Sequence, residues 1–206
     1  MSFDWWLTYL LTTIVFSLSP GSAAINTMST EISHGFKAAV LSIGGLQIGL
    51  AVHIILVGFG LGTIVAHSPL AFEILKWLGV AYLIWLGVQQ WHAAGSLEIK
   101  EISDDLPIRM LFRRAMLVNL SNPKSIVFFA ALFPQFVLLQ QPQLPQYVIL
   151  GLTTLAVDVL VMIGYSTLAA HISRQLRSPR HVKRLNRFFG LLFIVVALML
   201  AMAHQG

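Results

Sequence analysis

The stretch Asn119-Leu120-Ser121-Asn122-Pro123-Lys124-Ser125 lies inside an apolar segment that covers residues 111–138. A segment of that length can span a bilayer, yet its middle contains two amides, a proline and a lysine. Proline removes a backbone donor and interrupts a helix. Lys124 lies about 15 Å along a helix from Arg113 and Arg114, near the middle of a ~30 Å hydrocarbon core. An ionisable residue at that depth is costly and indicates a functional site.

The composition of the whole chain predicts an integral membrane protein. Of its 206 residues, 57% are hydrophobic and only 10% are charged, whereas about a quarter of the residues in a soluble domain are charged. The formal net charge of +5 comes from basic residues in short connections between apolar runs, which argues against nucleic acid as a partner. Because the chain has no cysteine, disulfides and thiolate metal sites are excluded.

Six apolar segments predict an all-α membrane protein with six transmembrane helices in a single domain, residues 1–206. They fall at residues 5–26, 38–66, 70–91, 111–138, 146–170 and 188–203. Helices are expected because lipid offers no other partner to the backbone of such apolar segments. The polar stretch from Gly95 to Pro107 is predicted to be a cytoplasmic linker that joins halves 1–94 and 108–206.

The placement of basic residues predicts the orientation of these helices. Basic residues cluster in the first, third and fifth connections, so these connections should face the cytoplasm and both termini should be periplasmic. Three spans in each half place the halves in opposite orientations, which is the geometry of an inverted repeat. The fifth connection is also a candidate contact for anionic membrane lipids. The basic residues concerned are Lys37, Lys100, Arg109, Arg113, Arg114, Arg174, Arg177, Arg180, Lys183, Arg184 and Arg187.

Each half begins with a helix whose middle is rich in serine and interrupted by proline. Helix 1 contains Ser17-Leu18-Ser19-Pro20-Gly21-Ser22, and helix 4 contains Ser121-Asn122-Pro123-Lys124-Ser125. Such a break exposes backbone amides at the positive end of a half-helix, where a carboxylate can bind. A packing kink would explain one break equally well, but two at matching positions favour a transporter site. The candidate substrate-binding residues are Pro20, Gly21, Ser22, Asn26, Asn119, Asn122, Pro123 and Lys124.

Two further ionisable residues are candidates for proton coupling. Asp158 is the one acidic residue deep in any predicted span, and it could bind a substrate ammonium group or a transported proton. A structural ion pair with Lys124 is the alternative. His53 lies near the middle of helix 2, where a lone histidine more often serves packing than proton relay. No second histidine lies at metal-ligand spacing, so neither a metal nor a cofactor is expected. Gln47 could hydrogen-bond across helices.

Helix 2 also carries two ladders of small residues, Gly45-x-x-x-Gly49 and Gly58-x-x-x-Gly62. Glycines at this spacing let two helices approach closely. Packing within the protomer is the expected use, and a homo-oligomer is the alternative.

Taken in order, these motifs resemble those of the LysE/RhtB family of bacterial amino-acid exporters. The resemblance covers essentially the whole chain and implies a secondary transporter of the bacterial inner membrane. It implies export of homoserine, its lactone and similar small neutral amino acids, driven by proton antiport. The matching pieces are Leu18-Ser19-Pro20-Gly21, His34-Gly35-Phe36-Lys37-Ala38-Ala39, Ala81-Tyr82-Leu83-Ile84-Trp85-Leu86-Gly87, Asn122-Pro123-Lys124 and Phe133-Pro134-Gln135-Phe136.

The sequence departs from the family pattern in one place. The family usually has Pro-Gly-Pro-Asn after the serine, whereas Ser22 and Ala23 stand here in place of the second proline and the asparagine. Asn26, one helical turn further on, could supply the missing amide.

Other functions stay open at the level of sequence. The cargo could be threonine, a cysteine precursor or leucine, since one methylene or hydroxyl changes binding by only about 1–3 kcal/mol. A membrane-embedded enzyme is less favoured, because the sequence contains no nucleophile motif and no metal-ligand motif. A passive channel would line one continuous pore with polar residues, whereas these residues cluster at two breaks.

Overall fold

A computed structural model describes residues 2–61, 69–93, 102, 106–138, 140–176 and 179–202 of the chain. Within these ranges the protein is all-helical and contains no strand, as the sequence predicts. The chain also contains two short π-helices, at Val57–Leu61 and Phe128–Leu132, and a 3₁₀ turn at Phe133–Phe136. The α-helices are α1 (Phe3–Leu18), α2 (Ser22–Leu56), α3 (Pro69–His92), α4 (Ile108–Leu120), α5 (Pro123–Val127), α6 (Gln143–Leu176) and α7 (Pro179–Met202).

The helices break at the two places that the sequence predicts. In the first break α1 ends at Leu18 and α2 begins at Ser22. In the second break α4 ends at Leu120 and α5 begins at Pro123. The helical stretch Pro123–Phe136 that follows this break is bent by 49° from α4. A proline that opens a helix needs no amide of its own, because the first amides of a helix have no partner in that helix.

The chain reverses direction inside α2, at a single glycine. Gly35 has φ 77° and ψ 176°, and it is the one residue of α2 with a non-helical backbone. The side-chain amide of Asn26 donates to Ser42 Oγ at 2.9 Å, although a straight helix would separate these residues by about 24 Å. We therefore describe α2 as a first arm (residues 22–34) and a second arm (residues 36–56).

Both ends of the predicted first and fifth connections are helical, which corrects two of the predicted boundaries. Helix replaces the expected loop over residues 27–34, and α6 continues to Leu176 before α7 begins at Pro179. Hydropathy detects only the part of a helix that is apolar, so the polar end turns were assigned to connections. Arg177 of the fifth connection lies outside the described residues. The other basic residues of this connection lie on helices rather than in a loop: Arg174, Arg180, Lys183, Arg184 and Arg187.

Most of the predicted linker, residues 95–101 and 103–105, lies outside the described residues, and so does Gly62 of the second glycine ladder. Ile102 is described and is buried rather than solvated. Its amide donates to Ser33 Oγ at 2.8 Å, and its side chain packs with Ala38 and Leu111. This part of the linker is therefore attached to the first arm, to the second arm and to α4.

The outside of the bundle is apolar. Among the described residues, two helical ranges pass a test of length and composition for crossing a membrane: α2, counted along both of its arms, and residues 143–169. The bent pair α4–α5 with its following turns is a third candidate. Large side chains such as Phe3, Leu152 and Leu160 are more than half exposed. Apolar surface of this extent is unfavourable in water and favourable in lipid.

Glycines allow the closest helix crossings. A β-carbon on Gly45 would overlap the carbonyl oxygen of Phe112, and one on Gly49 would lie 2.8 Å from that of Met116. The first glycine ladder therefore packs the second arm of α2 against α4 within the protomer, as predicted. In the second ladder, Gly58 packs against the ring of Tyr147.

Candidate functional site

The two helix breaks meet around a narrow cavity, to which α1, the first arm of α2, α4, α5 and α6 contribute residues. In this conformation the cavity has room for little more than a water molecule. Its lining is mixed, with apolar walls such as Leu50 and Met162. The polar side chains that line it belong to Ser17, Ser19, Asn119, Asn122, Lys124, Ser125 and Asp158.

Lys124 connects the second break to the first. Its Nζ donates to the carbonyl oxygens of Phe16 and Ser19, each at 2.7 Å. The same nitrogen lies 4.7 Å from the ring centroid of Phe16. These carbonyls stand at the C-terminal end of α1, where the helix dipole concentrates negative charge. The lysine charge is thus stabilised by a helix end and an aromatic face.

The N-terminus of the first arm of α2 opens toward the cavity. Its N-cap is Gly21, and no side chain in the described part of the chain accepts from the first amides at this cap. Gly21, Ala23 and Ala24 all line the cavity. Amides in the first turn of a helix lack intrahelical partners and attract anions. A β-carbon on Gly21 would lie 4.0 Å from Lys124 Nζ, so an ammonium group adjoins this end.

The second break satisfies its own polar groups. Asn122 Oδ1 accepts from the backbone amide of Lys124 at 3.1 Å and so caps α5. Ser125 Oγ donates to Asn119 Oδ1 at 3.0 Å, and Asn119 Nδ2 donates to the carbonyl oxygen of Leu46 at 2.7 Å. Through these bonds the second break is fixed to the second arm of α2.

Asp158 provides a carboxylate to the same cavity from α6. It is 4% exposed, and its Oδ2 accepts from Gln47 Nε2 at 2.8 Å. Asp158 and Lys124 are both in the described part of the chain, and no ion pair within 4.0 Å joins them in this conformation. The direct ion pair considered from the sequence is therefore absent here, and two opposite charges line one cavity.

His53 does not line this cavity. Its Nε2 lies 3.2 Å from the carbonyl oxygen of Leu120, the last residue of α4, and its ring stacks on Phe129 at 6.3 Å between centroids. Its Nδ1 is buried and has no hydrogen-bond partner among the described residues. His53 therefore contacts the end of α4 at the second break without lining the cavity that Asp158 lines.

The structure brings together half of the predicted substrate-binding residues. Gly21, Asn119, Asn122 and Lys124 line the cavity. The others do not line it: Pro20 and Pro123 shape the breaks, Ser22 is exposed, and Asn26 bonds to Ser42.

Other residues join the site that the sequence did not single out as substrate-binding. Ser17, Ser19 and Ser125 line the cavity, and their nearness to the two prolines was the available signal. Phe16 contributes a carbonyl and a ring to Lys124, and no local pattern indicates this role. Gln47 confirms the expectation of a hydrogen bond across helices.

Comparison with known proteins gives similarity over the whole chain. A family model described as LysE type translocator matches residues 14–204. The homoserine/homoserine lactone efflux protein of Salmonella typhimurium is 59% identical over 206 residues, which is 100% of both chains. An uncharacterized membrane protein of Vibrio cholerae is 49% identical over 198 residues, 96% of this chain and 97% of its own. A leucine efflux protein of Enterobacter is 28% identical over 200 residues, 96% of this chain and 95% of its own. No solved structure matches the chain.

Proposed function

Because the chain belongs to the LysE type translocator family, we propose that it exports homoserine, homoserine lactone and similar small neutral amino acids across the bacterial inner membrane in exchange for protons. The relative that carries this cargo in its name is 59% identical from end to end. Membership of a translocator family confirms the expectation of a transporter rather than an enzyme. One observation carries the cargo proposal: a single cavity presents an ammonium group, an open helix N-terminus and a carboxylate.

This set of groups matches the two charges of homoserine. Homoserine lactone keeps the ammonium group but has an uncharged ester in place of the carboxylate, so its carbonyl oxygen would accept at the first break and it should bind less tightly than homoserine. The substrate carboxylate would accept from the first amides of α2 and from Lys124, which has three donors and uses two of them on Phe16 and Ser19. The substrate ammonium group would donate to Asp158. Hydrogen bonds between charged partners are the strong ones, so each end of the substrate is recognised. Ser19 Oγ is buried without a partner among the described residues and is a candidate for the homoserine hydroxyl.

Asp158 is also the group proposed to couple transport to protons. An unpaired carboxylate is costly at this depth, so the site without substrate would return with a proton on Asp158. Binding of the substrate ammonium in place of that proton makes the two cargoes mutually exclusive, which is the requirement for antiport. His53 is the second candidate for proton coupling. It contacts the last residue of α4 at the second break but does not line the binding cavity, so its proposed role is proton transfer rather than substrate binding.

For the architecture we propose six spans in one domain, arranged as two inverted halves, 1–94 and 108–206. In that arrangement α3 and α7 are equivalent helices, and their contact is reciprocal. A β-carbon on Gly87 would lie 2.7 Å from the carbonyl oxygen of Gly190, and one on Gly190 would lie 2.6 Å from that of Gly87. Reciprocal contacts are expected where a two-fold axis relates two elements. The two helix breaks, which are also equivalent, meet through Lys124.

Cytoplasmic placement of the odd connections, and so periplasmic termini, is proposed from the basic residues. Lys37 follows the reversal at Gly35, and Arg109, Arg113 and Arg114 lie in the first turns of α4. The cluster of Ala38, Ile102 and Leu111 joins these two regions, so they lie on the same side of the bundle. The positive-inside rule assigns that side to the cytoplasm.

Flux through purified protein in liposomes tests the function. Labelled homoserine, homoserine lactone, threonine and leucine would be followed with and without an imposed pH gradient. We expect homoserine flux that saturates with concentration and follows the gradient. Gradient-coupled flux of leucine alone would show that the cargo is leucine rather than homoserine. Flux that does not saturate would indicate a passive channel, and a chemically altered product would indicate a membrane-embedded enzyme.

Replacement of Asp158 by asparagine tests the coupling. Asparagine keeps the size of the side chain and a hydrogen-bond partner for Gln47 but cannot carry a proton between the two sides. We expect gradient-driven flux of the Asp158→Asn variant to fall to the level of empty liposomes. Exchange of labelled for unlabelled homoserine should stay measurable but need a higher homoserine concentration, because a neutral amide binds the substrate ammonium group less strongly than a carboxylate does. Unchanged gradient-driven flux would remove Asp158 from the coupling mechanism and leave His53→Gln as the next variant to measure.

A further inference from the structure

The C-terminal end of α1 has its carbonyls satisfied by side chains from the second half of the chain. Tyr165 Oη donates to the carbonyl oxygen of Leu18 at 2.6 Å. Lys124 Nζ donates to those of Phe16 and Ser19. Within a membrane no water is available to the last carbonyls of a helix, so each needs a protein donor or a cation.

The groups around Lys124 Nζ are those that bind a monovalent cation. Two carbonyl oxygens approach it to 2.7 Å, and the rings of Phe16 and Phe193 lie 4.7 and 5.8 Å from it. Helix C-terminal ends and unwound carbonyls hold coupling cations in broken-helix transporters, and aromatic faces attract ammonium groups. No carboxylate lies within 4.0 Å of Nζ among the described residues, so neutral oxygens and rings hold this charge.

We infer that the end of α1 is a monovalent-cation site, and that the Lys124 ammonium group occupies it as a cation tethered to the second half of the chain. The site is formed by the carbonyls of Phe16 and Ser19 and by the ring of Phe16. Its ligand class is a small primary alkylammonium ion, which reproduces both the charge and the N–H donors of the lysine.

The tethered cation has a role in transport that rests on the proposed function. It lies beside Gly21, at the open end of α2, so the positive charge that a substrate carboxylate requires belongs to the chain. A second cation is then unnecessary, and flux through the unmodified protein should be the same in sodium, potassium or N-methylglucamine salts. The tether also links the two breaks, so α1 and α5 should move together.

Removal of the tether should open the site to a free cation. In Lys124→Ala the carbonyls of Phe16 and Ser19 lose their donor, and ethylammonium can take its place. We expect ethylammonium chloride to raise the melting temperature of this variant in detergent by about 3–6 °C at ten times the dissociation constant. The unmodified protein should show no such shift. Tetramethylammonium is the matched control, because it has the charge but no N–H donor.

A second variant separates the charge from the hydrogen bonds. Lys124→Gln supplies N–H donors to the same carbonyls without a positive charge. We expect at least about a tenfold loss of homoserine flux in this variant, since charged hydrogen bonds stabilise more than neutral ones, and no response to ethylammonium. Flux equal to that of the unmodified protein would overturn the inference, because the lysine would then serve only as a helix cap. If Lys124→Ala does not fold, this variant still tests whether flux requires a positive charge at this position.

The same reagents report on flux in liposomes. Ethylammonium at millimolar concentration should restore at least a tenth of the homoserine flux to Lys124→Ala and none to Lys124→Gln. A folded Lys124→Ala whose melting temperature and flux ignore ethylammonium would overturn the cation site. The thermal shift of Lys124→Ala with ethylammonium requires no cargo. If that shift occurs while the unmodified protein shows no homoserine flux, the proposal of homoserine export is rejected and the proposal of a cation site is retained.

Discussion

Both helix breaks contain a proline in a serine-rich stretch, but their polar groups are satisfied in different ways. At the second break, Asn122 caps the following helix, Ser125 donates to Asn119, and Asn119 donates to the second arm of α2. At the first break, Gly21 leaves the following helix without a side-chain cap. At the second break a side chain therefore caps the following helix, whereas at the first break the first amides of α2 have no side-chain acceptor among the described residues and can bind a ligand.

The difference comes from the residue type at one position of each break. Asparagine is among the strongest N-capping residues because its side-chain oxygen accepts from the first turn, and glycine has no side chain with which to do so. Two breaks that each contain a proline need not form two similar sites. Here one break supplies Lys124, and the other supplies the carbonyls and amides around it.

A cap introduced at the first break should have the largest effect. Gly21 has an extended backbone with φ −153°, and a β-carbon there would make only ordinary contacts with Lys124. Aspartate in Gly21→Asp can therefore cap α2 without strain and place a carboxylate where the substrate carboxylate is proposed to bind. We expect homoserine flux to fall by about a hundredfold with no loss of melting temperature.

The matched control for this variant is Gly21→Ala, which adds the same β-carbon without a capping group. Its flux should stay well above that of Gly21→Asp. Homoserine flux at the level of the unmodified protein in a folded Gly21→Asp would contradict the assignment of the first break as the carboxylate site.

Loss of the cap at the second break should have a smaller effect, and on stability rather than on cargo binding. Asn122→Ala removes the acceptor of the Lys124 amide, and loss of an N-cap costs about 1 kcal/mol. We expect the melting temperature to fall by about 2–4 °C, with flux reduced by less than tenfold. Ser22→Ala, at an exposed position beside the first break, is the control and should melt like the unmodified protein. A hundredfold loss of flux in Asn122→Ala at unchanged stability would contradict this difference, because the second break would then also bind cargo.

The sequence was sufficient to predict the helical class and the positions of both breaks. Proline and polar residues inside apolar runs are local signals, and the structure breaks the helix at Pro20-Gly21 and Asn122-Pro123. The turn at Gly35 was not predicted, because positive φ at one glycine has no counterpart in hydropathy. The helical ends around residues 27–34 and 171–176 were missed for the same reason, since their polar residues resemble a loop.

The site was only partly predictable, because its assembly depends on contacts between distant segments. Lys124 and Asp158 are conspicuous by depth alone, and both line the cavity. The depth of His53 in its predicted helix also made it a candidate for proton coupling, yet His53 does not line the cavity. The position of a residue along a helix does not give the direction of its side chain. The carbonyl of Phe16 that holds Lys124 belongs to a residue 108 positions away in the chain, and no local pattern could indicate it.

Competition against homoserine flux tests the central claim most directly, because the claim is that one cavity recognises both charges of an amino acid. Liposomes with the unmodified protein and a fixed pH gradient would take up labelled homoserine in the presence of unlabelled homoserine, N-acetylhomoserine or homoserine amide. The first analogue lacks the ammonium group and the second lacks the carboxylate. We predict that each needs at least about a tenfold higher concentration than homoserine for half-inhibition. Equal competition by N-acetylhomoserine and homoserine would contradict the role of Asp158, and equal competition by the amide would contradict the role of the first break.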